Sequence, residues 1–315
     1  MVKKIKIYKN FKINIKDKNS IILIGNFDGL HSGHQKLFKQ AKKFKKKLNL
    51  KLGVITFDPI PKMFFNKKIK NYRISNFDQK VIYFEKFGVD FIINKNFNKK
   101  FSKVTYQKFI ENILYKRLNV KYIFVSNNFR FGYKREGNVN VLKKFQIKYK
   151  YKLINPKPLT KKNKIISSTL IRKLLQNGNL NVANKILKRN WSIEGIVEKG
   201  RMMGKKIGFP TCNIDIKKYI IAKPGVYAVK VKIQNRRKNY KGIANLGYRP
   251  TFNQRKILLE VNIFNFSGNL YNKKLSVEFL KFIRGEKKFD AVDDLRNQIK
   301  KDLLNAKKVK WAKNI

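Results

Sequence analysis

The only two histidines of the chain, His31 and His34, fall in one glycine-framed stretch, Gly25-Asn26-Phe27-Asp28-Gly29-Leu30-His31-Ser32-Gly33-His34. Glycines let backbone approach a ligand closely, and two imidazoles offer N–H donors to a phosphate. A metal site needs a third ligand. No further histidine exists and Cys212 lies far along the chain, so phosphate binding is preferred to metal ligation and to a turn satisfied by its own backbone. Ser167, Ser168, Thr169 and Arg172 form a second group. Its hydroxyls suit a helix N-cap, and with the arginine they can grip a phosphate chain. Gly200, Gly204 and Gly208 precede Pro210, Thr211 and Asn213 at a spacing that is not a P-loop. Their backbone can still wrap a phosphate chain. The two uncharged oxygens of Thr211 and Asn213 suit a Mg²⁺ already held by phosphates. Glu260 alternates with Val261 and Ile263, so it points away from the apolar side of its strand. It is either a surface carboxylate or a general base for a substrate hydroxyl.

The elements that must carry these residues change character along the chain. Ile21–Ile24 is an unbroken apolar run, as in a strand buried on both faces, and helix spacing follows from His34 to Leu48. Strands at Leu52–Phe57, Val89–Ile93, Tyr122–Val125 and Tyr151–Ile154 alternate with helical patterns at 77–87 and 106–118. That order implies right-handed βαβ units and a parallel sheet, whose ligands bind beyond the strand carboxyl ends. From Trp191 the period becomes two, through Val197, Val226–Ile233, Leu258–Phe266 and Leu275–Phe282, which argues for an antiparallel barrel or sandwich closed by a helix over 289–304. Two domains are expected, 1–185 and 186–315.

No apolar run approaches a membrane span. Residues 1–15 read as an exposed strand without a signal-peptide core, and one cysteine fits a reducing, cytoplasmic setting. The net charge is +58, from 63 lysines and 13 arginines against 18 acids. The lysines are scattered, and arginine is the residue that planar phosphate and base recognition prefers. Lys, Ile, Asn, Phe and Tyr, all with A/T-rich codons, are abundant together. The charge is therefore read as compositional drift, with weak, nonspecific, salt-dependent polyanion binding as its side effect.

The stretch Gly25–His34 resembles the nucleotide signature of the HxGH nucleotidylyltransferases, and in its full form that of the bacterial bifunctional riboflavin kinase/FAD synthetases. Thr56-Phe57-Asp58-Pro59-Ile60-Pro61, Asn127-Asn128-Phe129-Arg130-Phe131-Gly132 and Ile166-Ser167-Ser168-Thr169-Leu170-Ile171-Arg172 resemble later motifs of its adenylyltransferase half. Ser126 and Asn127 stand where the family often has Gly and acidic residues. The segments Gly200–Asn213, Gly242–Phe252, Leu259-Glu260-Val261 and Phe282–Phe289 resemble its kinase half, with Cys212 replacing an alanine.

The resemblance implies a Rossmann-like α/β parallel-sheet domain followed by an antiparallel β-barrel with a C-terminal helix. It implies phosphorylation of riboflavin to FMN, then adenylylation of FMN to FAD, with ATP and Mg²⁺. His31, His34 and Arg172 become catalytic, and Gly25, Asn26, Phe27, Asp28, Gly29, Gly33, Ser167, Ser168 and Thr169 nucleotide-binding. Gly200, Gly204, Gly208 and Pro210 bind the kinase's ATP, with Thr211 and Asn213 on the metal and Glu260 as base. Pro59, Pro61, Asn128, Phe129, Phe131 and Arg284 line flavin. A kinase with a weakened first half, or a basic RNA-binding protein on a nucleotide-binding fold, are the competing readings. Clustered arginines and exposed stacking aromatics would favour the latter, and the sequence shows no obvious cluster.

Overall fold

A computed structural model describes residues 5–161, 164–200, 204, 207–250 and 255–310. The chain divides into two compact units. One holds the residues up to Lys70 together with Phe77–Ser167; the other holds Asn71–Asn76 and Ser168 onward.

The first unit contains β1 (Lys6–Tyr8), β2 (Ile21–Ile24), α1 (Ser32–Leu48), β3 (Leu52–Asp58), α2 (Pro61–Phe65), α3 (Phe77–Lys86), β4 (Phe91–Asn96), α4 (Lys99–Ser102) and α5 (Tyr106–Lys108). α5 runs on as a wider π-helical coil over Phe109–Arg117. The short strands β6 (Arg130–Phe131) and β7 (Gly137–Asn138) follow β5 (Tyr122–Phe124). After them come α6 (Val139–Lys144), β8 (Lys152–Ile154), β9 (Thr160–Lys161) and β10 (Lys164–Ile165). The main sheet has the order β1-β4-β3-β2-β5-β8, parallel throughout. The apolar run of β2 is buried on both faces, as expected. Ile21 and Leu23 join Leu37, Phe38 and Phe84 of α1 and α3 on one side, and Ile22 and Ile24 join Phe109, Ile110 and Ile113 on the other. The connections from β2 lead outward to β3 and β4 on one side, and later to β5 and β8 on the other. The carboxyl end of β2 is therefore the switch point of the sheet, where an open α/β sheet leaves a crevice.

The second unit contains α7 (Ser168–Gln176), α8 (Leu180–Leu187), β11 (Ser192–Glu198), β12 (Cys212–Asp215), β13 (Gly225–Ile233), β14 (Asn239–Pro250), β15 (Arg255–Ile263), β16 (Lys274–Gly285) and α9 (Val292–Lys307). The strands close into an antiparallel barrel, β11-β12-β15-β14-β13-β16. The expected class is thus observed in both halves. Tyr227, Val229, Val231 and Ile233 alternate with Val226 and Ala228. The latter two pack with Ile243 and Ala306 under α9, so that face is the outside of the barrel. The period changes where the strands begin, after α8. By packing, α7 and α8 belong with the barrel, and so does 71–76, whose Tyr72 and Arg73 N–H groups both donate to Lys218 O at 2.9 Å.

Candidate active sites

In the first unit, Gly25 follows β2 directly, and its N–H still donates to Ile55 O at 3.0 Å. The turn beyond it is held in rare backbone conformations, with φ of +46° at Phe27, +79° at Gly29 and +37° at Leu30. Burial of Phe27 against Phe38 and Phe84, and of Leu30, holds the two non-glycine residues there. His31 then caps α1: its Nδ1 accepts the backbone N–H of His34 at 3.4 Å. An accepting Nδ1 puts the ring proton of the neutral tautomer on Nε2, which makes that nitrogen a donor. The two imidazoles stack, centroids 3.7 Å apart and 22° between planes. Gly33 makes room for this, since a Cβ there would lie 3.2 Å from the His31 ring; the carbonyl of Ile166 is 3.6 Å from the same point. The start of the Ile166–Arg172 motif therefore reaches the histidine turn. Asn26 Oδ1 and His34 Nδ1 are buried with no hydrogen-bond partner among the described residues. Of these, the His34 nitrogen, in the first turn of α1, can donate to an anionic ligand when it carries the ring proton, whereas the Asn26 oxygen can only accept.

Burial, and after it the neighbouring His31, pushes the His34 imidazole pKa well below its ordinary 6.5. The unfolded chain thus takes up a proton that the folded one refuses. This contribution to stability is complete above about pH 6.5 and declines as the pH falls toward the folded-state value, by at most about 1.4 kcal/mol per pH unit. Urea unfolding of the full chain between pH 7.5 and 5.5 should show this loss, and His34→Gln should flatten it. An equal slope in the variant would remove His34 as the cause.

At the ends of β3 and β4 the Thr56–Pro61 motif opens α2, with Pro61 in its first turn, where a missing N–H costs nothing. Phe64 and Phe65 of α2 meet Phe97 at 5.3 and 5.7 Å, and Phe57 meets Phe97 and Phe101 at 6.0 and 5.9 Å. Phe65 is 68% exposed. Beside Pro59 and Pro61 this forms an apolar, partly open wall that sequence reading did not mark. After β5, Ser126, Asn127 and Asn128 are exposed, while Phe129 stacks on Phe131 at 5.4 Å and Phe131 is buried against Phe109.

The chain passes from one unit to the other between Ser167 and Ser168, inside a predicted phosphate motif. Ser168, Thr169 and Arg172 lie on α7. Arg172 is buried, with Nε donating to Tyr72 O at 2.8 Å and its guanidinium 3.6 Å above the Tyr72 ring.

On the barrel the register draws the kinase-like residues together. Asn213 of β12 faces Glu260 of β15, Glu260 faces Asn245 of β14, Asn245 faces Val226 of β13, and Val226 faces Arg284 of β16. Directly opposed residues share a face, so these form one row on the outside of the barrel. Gly200 packs against Asn213, leaving no space for a Cβ. Pro210 O accepts from Asn262 Nδ2 at 2.7 Å, which pins the end of that loop. Asn213 Oδ1 is buried without a hydrogen-bond partner among the described residues, as a cation ligand would be in the absence of its ion, so the residues fit a Mg²⁺ brought by ATP. Thr211 is exposed at the same loop. Residues 201–203, 205, 206 and 251–254, parts of two kinase-like motifs, lie outside the described residues. Burial raises the thiol of Cys212 to about 12, and its Sγ donates to Val261 O at 3.3 Å, so it is a packing residue rather than a nucleophile. Arg284 is forked onto Asp302 of α9, Nε to both carboxylate oxygens at 3.0 and 2.9 Å, and its Nη1 donates to Gly285 O at 2.9 Å. The guanidinium therefore ties α9 to the barrel beside the row.

A His-x-Gly-His turn at the switch point of a parallel sheet, joined in one chain to a barrel with a glycine loop and a row that carries Glu260, fits the class of nucleotide-using transferases. A family model described as FAD synthetase matches residues 13–170, and one described as riboflavin kinase matches 187–310. The bifunctional riboflavin kinase/FMN adenylyltransferase of Buchnera aphidicola subsp. Schizaphis graminum is 42% identical over 300 residues, 94% of this chain and 95% of that one. Its counterpart in Escherichia coli K12 is 34% identical over 287 residues, 91% of each. A crystal structure described as a macrolide-efflux protein from Streptococcus pneumoniae superposes with a TM-score of 0.83 at 31% identity, covering 97% of this chain and 99% of that one. Among the described residues no helix is long and apolar enough to cross a membrane. The chain belongs to the bifunctional riboflavin kinase/FMN adenylyltransferase family.

Proposed function

We propose that the histidine turn and the outer row of the barrel divide between them the two reactions of this family, the labour changing hands near residue 186. The enzyme phosphorylates riboflavin to FMN and adenylylates FMN to FAD, with ATP as the second substrate of both steps. In the kinase step Glu260 takes the proton of the ribityl 5′-hydroxyl while that oxygen bonds to the γ-phosphorus and the β–γ bridging bond breaks, leaving ADP. Thr211 and Asn213 would hold Mg²⁺ on the ATP phosphates, where it neutralises their charge. Gly200, Gly204, Gly208 and Pro210 shape the loop over the nucleotide, and the segment Phe282–Phe289, with Arg284, covers the flavin.

In the second step a phosphate oxygen of FMN attacks the α-phosphorus of ATP, and the bond to the bridging oxygen breaks to release pyrophosphate. No protein nucleophile is needed. His31 through Nε2–H, with His34, Ser167, Ser168, Thr169 and Arg172, holds the phosphates and stabilises charge on the leaving group. The backbone of Gly25–Gly29 and Gly33 admits the nucleotide. Pro59, Pro61, Asn128, Phe129 and the Phe64/Phe65 wall receive the flavin, with Phe131 supporting Phe129 from the core. Both steps draw on ATP, which suits a cytoplasmic enzyme.

The observation that carries the proposal is the stacked histidine pair at the switch point, in which the buried Nδ1 of His34 has no hydrogen-bond partner among the described residues. Incubation with riboflavin, ATP and Mg²⁺, followed by separation of the flavins, should show FMN first and FAD after it, and FMN supplied directly should yield FAD and pyrophosphate. A chain that stops at FMN would overturn the adenylylation site, and one that makes neither would overturn both.

A further inference from the structure

We infer that Lys80 is a positioning residue of the adenylylation site, clamping the nucleotide turn to the end of the neighbouring strand. In a chain with 63 lysines, it is the only one among the described residues that the fold buries, at 5% exposure. Lysine is almost never buried unless its ammonium is engaged, because an isolated charge is costly to desolvate. Lys80 occupies the apolar stripe of α3 with Phe77, Val81 and Phe84, three and four residues apart. From there Nζ donates to the carbonyl of Asn26 at 3.3 Å and to Thr56 Oγ1 at 3.2 Å. Thr56 is itself fully buried, and its hydroxyl lies 3.4 Å from the same carbonyl.

One anchor stands in the Gly25–His34 turn that follows β2, and the other opens the Thr56–Pro61 segment at the end of β3. The three positive φ angles follow Asn26 immediately, so the peptide that Lys80 grips sets the direction from which the strained turn departs. Where that turn ends fixes the His31 ring over the start of α1. The ammonium also sets a positive charge at the carboxyl ends of the two central strands, beneath the crevice in which phosphate charge would gather. Lys80 thus acts through Asn26 and Thr56 rather than by touching substrate.

The inference rests on the turn being the nucleotide site. The test uses the full chain with FMN, ATP and Mg²⁺. Lys80→Met keeps the apolar stem and removes the charge. It should lower kcat for FAD formation about 100-fold, the order seen when one preorganised donor is lost, while FMN formation from riboflavin and the melting temperature of the chain stay near wild type. Lys80→Ala should regain activity on addition of propylammonium, saturably, and not on addition of propanol. A purely structural lysine would instead give a loss that tracks melting, disappears on cooling and ignores the amine. That result would overturn the inference, as would a folded Lys80→Met within about threefold of wild type. Should Lys80→Met not fold, Thr56→Val releases one anchor with little change of shape, and about a tenfold loss is expected; full activity there would also overturn it. Absence of FAD formation by the wild-type chain would reject the site reading itself, a separate and distinguishable result.

Discussion

Glu260→Gln in the full chain should lower kcat for riboflavin phosphorylation by about 10² to 10⁴, with KM for riboflavin changed by no more than about threefold. Glutamine keeps the length and shape of the side chain and can still hydrogen-bond, but it lacks the negative charge and cannot take a proton. The register isolates the residue well for such a test. Glu260 stands between Asn213 and Asn245 on the face opposite the buried Leu259 and Val261, so the substitution leaves the apolar face of β15 unchanged. Initial rates of FMN formation against riboflavin concentration give both constants, and FAD formation from added FMN in the same preparation serves as the internal control. A folded variant that phosphorylates riboflavin at near-wild-type kcat would remove Glu260 from the role of base.

The second large effect is selective in the other direction. His31→Ala or His34→Ala should abolish FAD formation while FMN formation continues. Each ring is the other's stacking partner and His31 also caps α1, so either loss disorders the donor pair as well as removing one member. The missing cap costs about 1 kcal/mol, which circular dichroism at the assay temperature will show to be tolerated or not. Equal loss of both products from a folded variant would mean that the turn does not serve adenylylation alone.

The sites differ in how far the sequence revealed them, and the reasons are physical. The turn after β2 was legible because three strong signals coincide: a doubly buried strand, glycines at special backbone angles, and a helix start. Alternation gave four strands of the barrel. It missed β12, which is only four residues long, and β14, whose Gly242, Asn245 and Gly247 interrupt the apolar period. The row Asn213–Glu260–Asn245 depends on strand register, which no local pattern encodes. Arg172 and Arg284 also take protein partners 100 and 18 residues away, Tyr72 and Asp302, which no local pattern encodes. Lys80 did leave a trace, since it falls on the apolar stripe of α3. In so lysine-rich a sequence one more lysine carries no weight until its burial is seen. Asp302, 2% exposed on α9, was equally silent.

Residues 71–76 bear on how such a gene can be split. This hexapeptide comes from the middle of the first half of the chain, yet it furnishes the carbonyl of Ile74 to the indole of Trp191 at 3.0 Å and that of Arg73 to Ile220 N–H at 2.7 Å. Trp191 is 2% exposed and opens the barrel. A kinase gene begun at residue 186 would encode every residue of the outer row of the barrel and still leave that indole N–H without its acceptor, a deficit on the order of 1–3 kcal/mol. The two activities are therefore separable as chemistry more readily than as polypeptides. A free-standing kinase derived from this lineage would need a substitute for six residues that its own half never encoded.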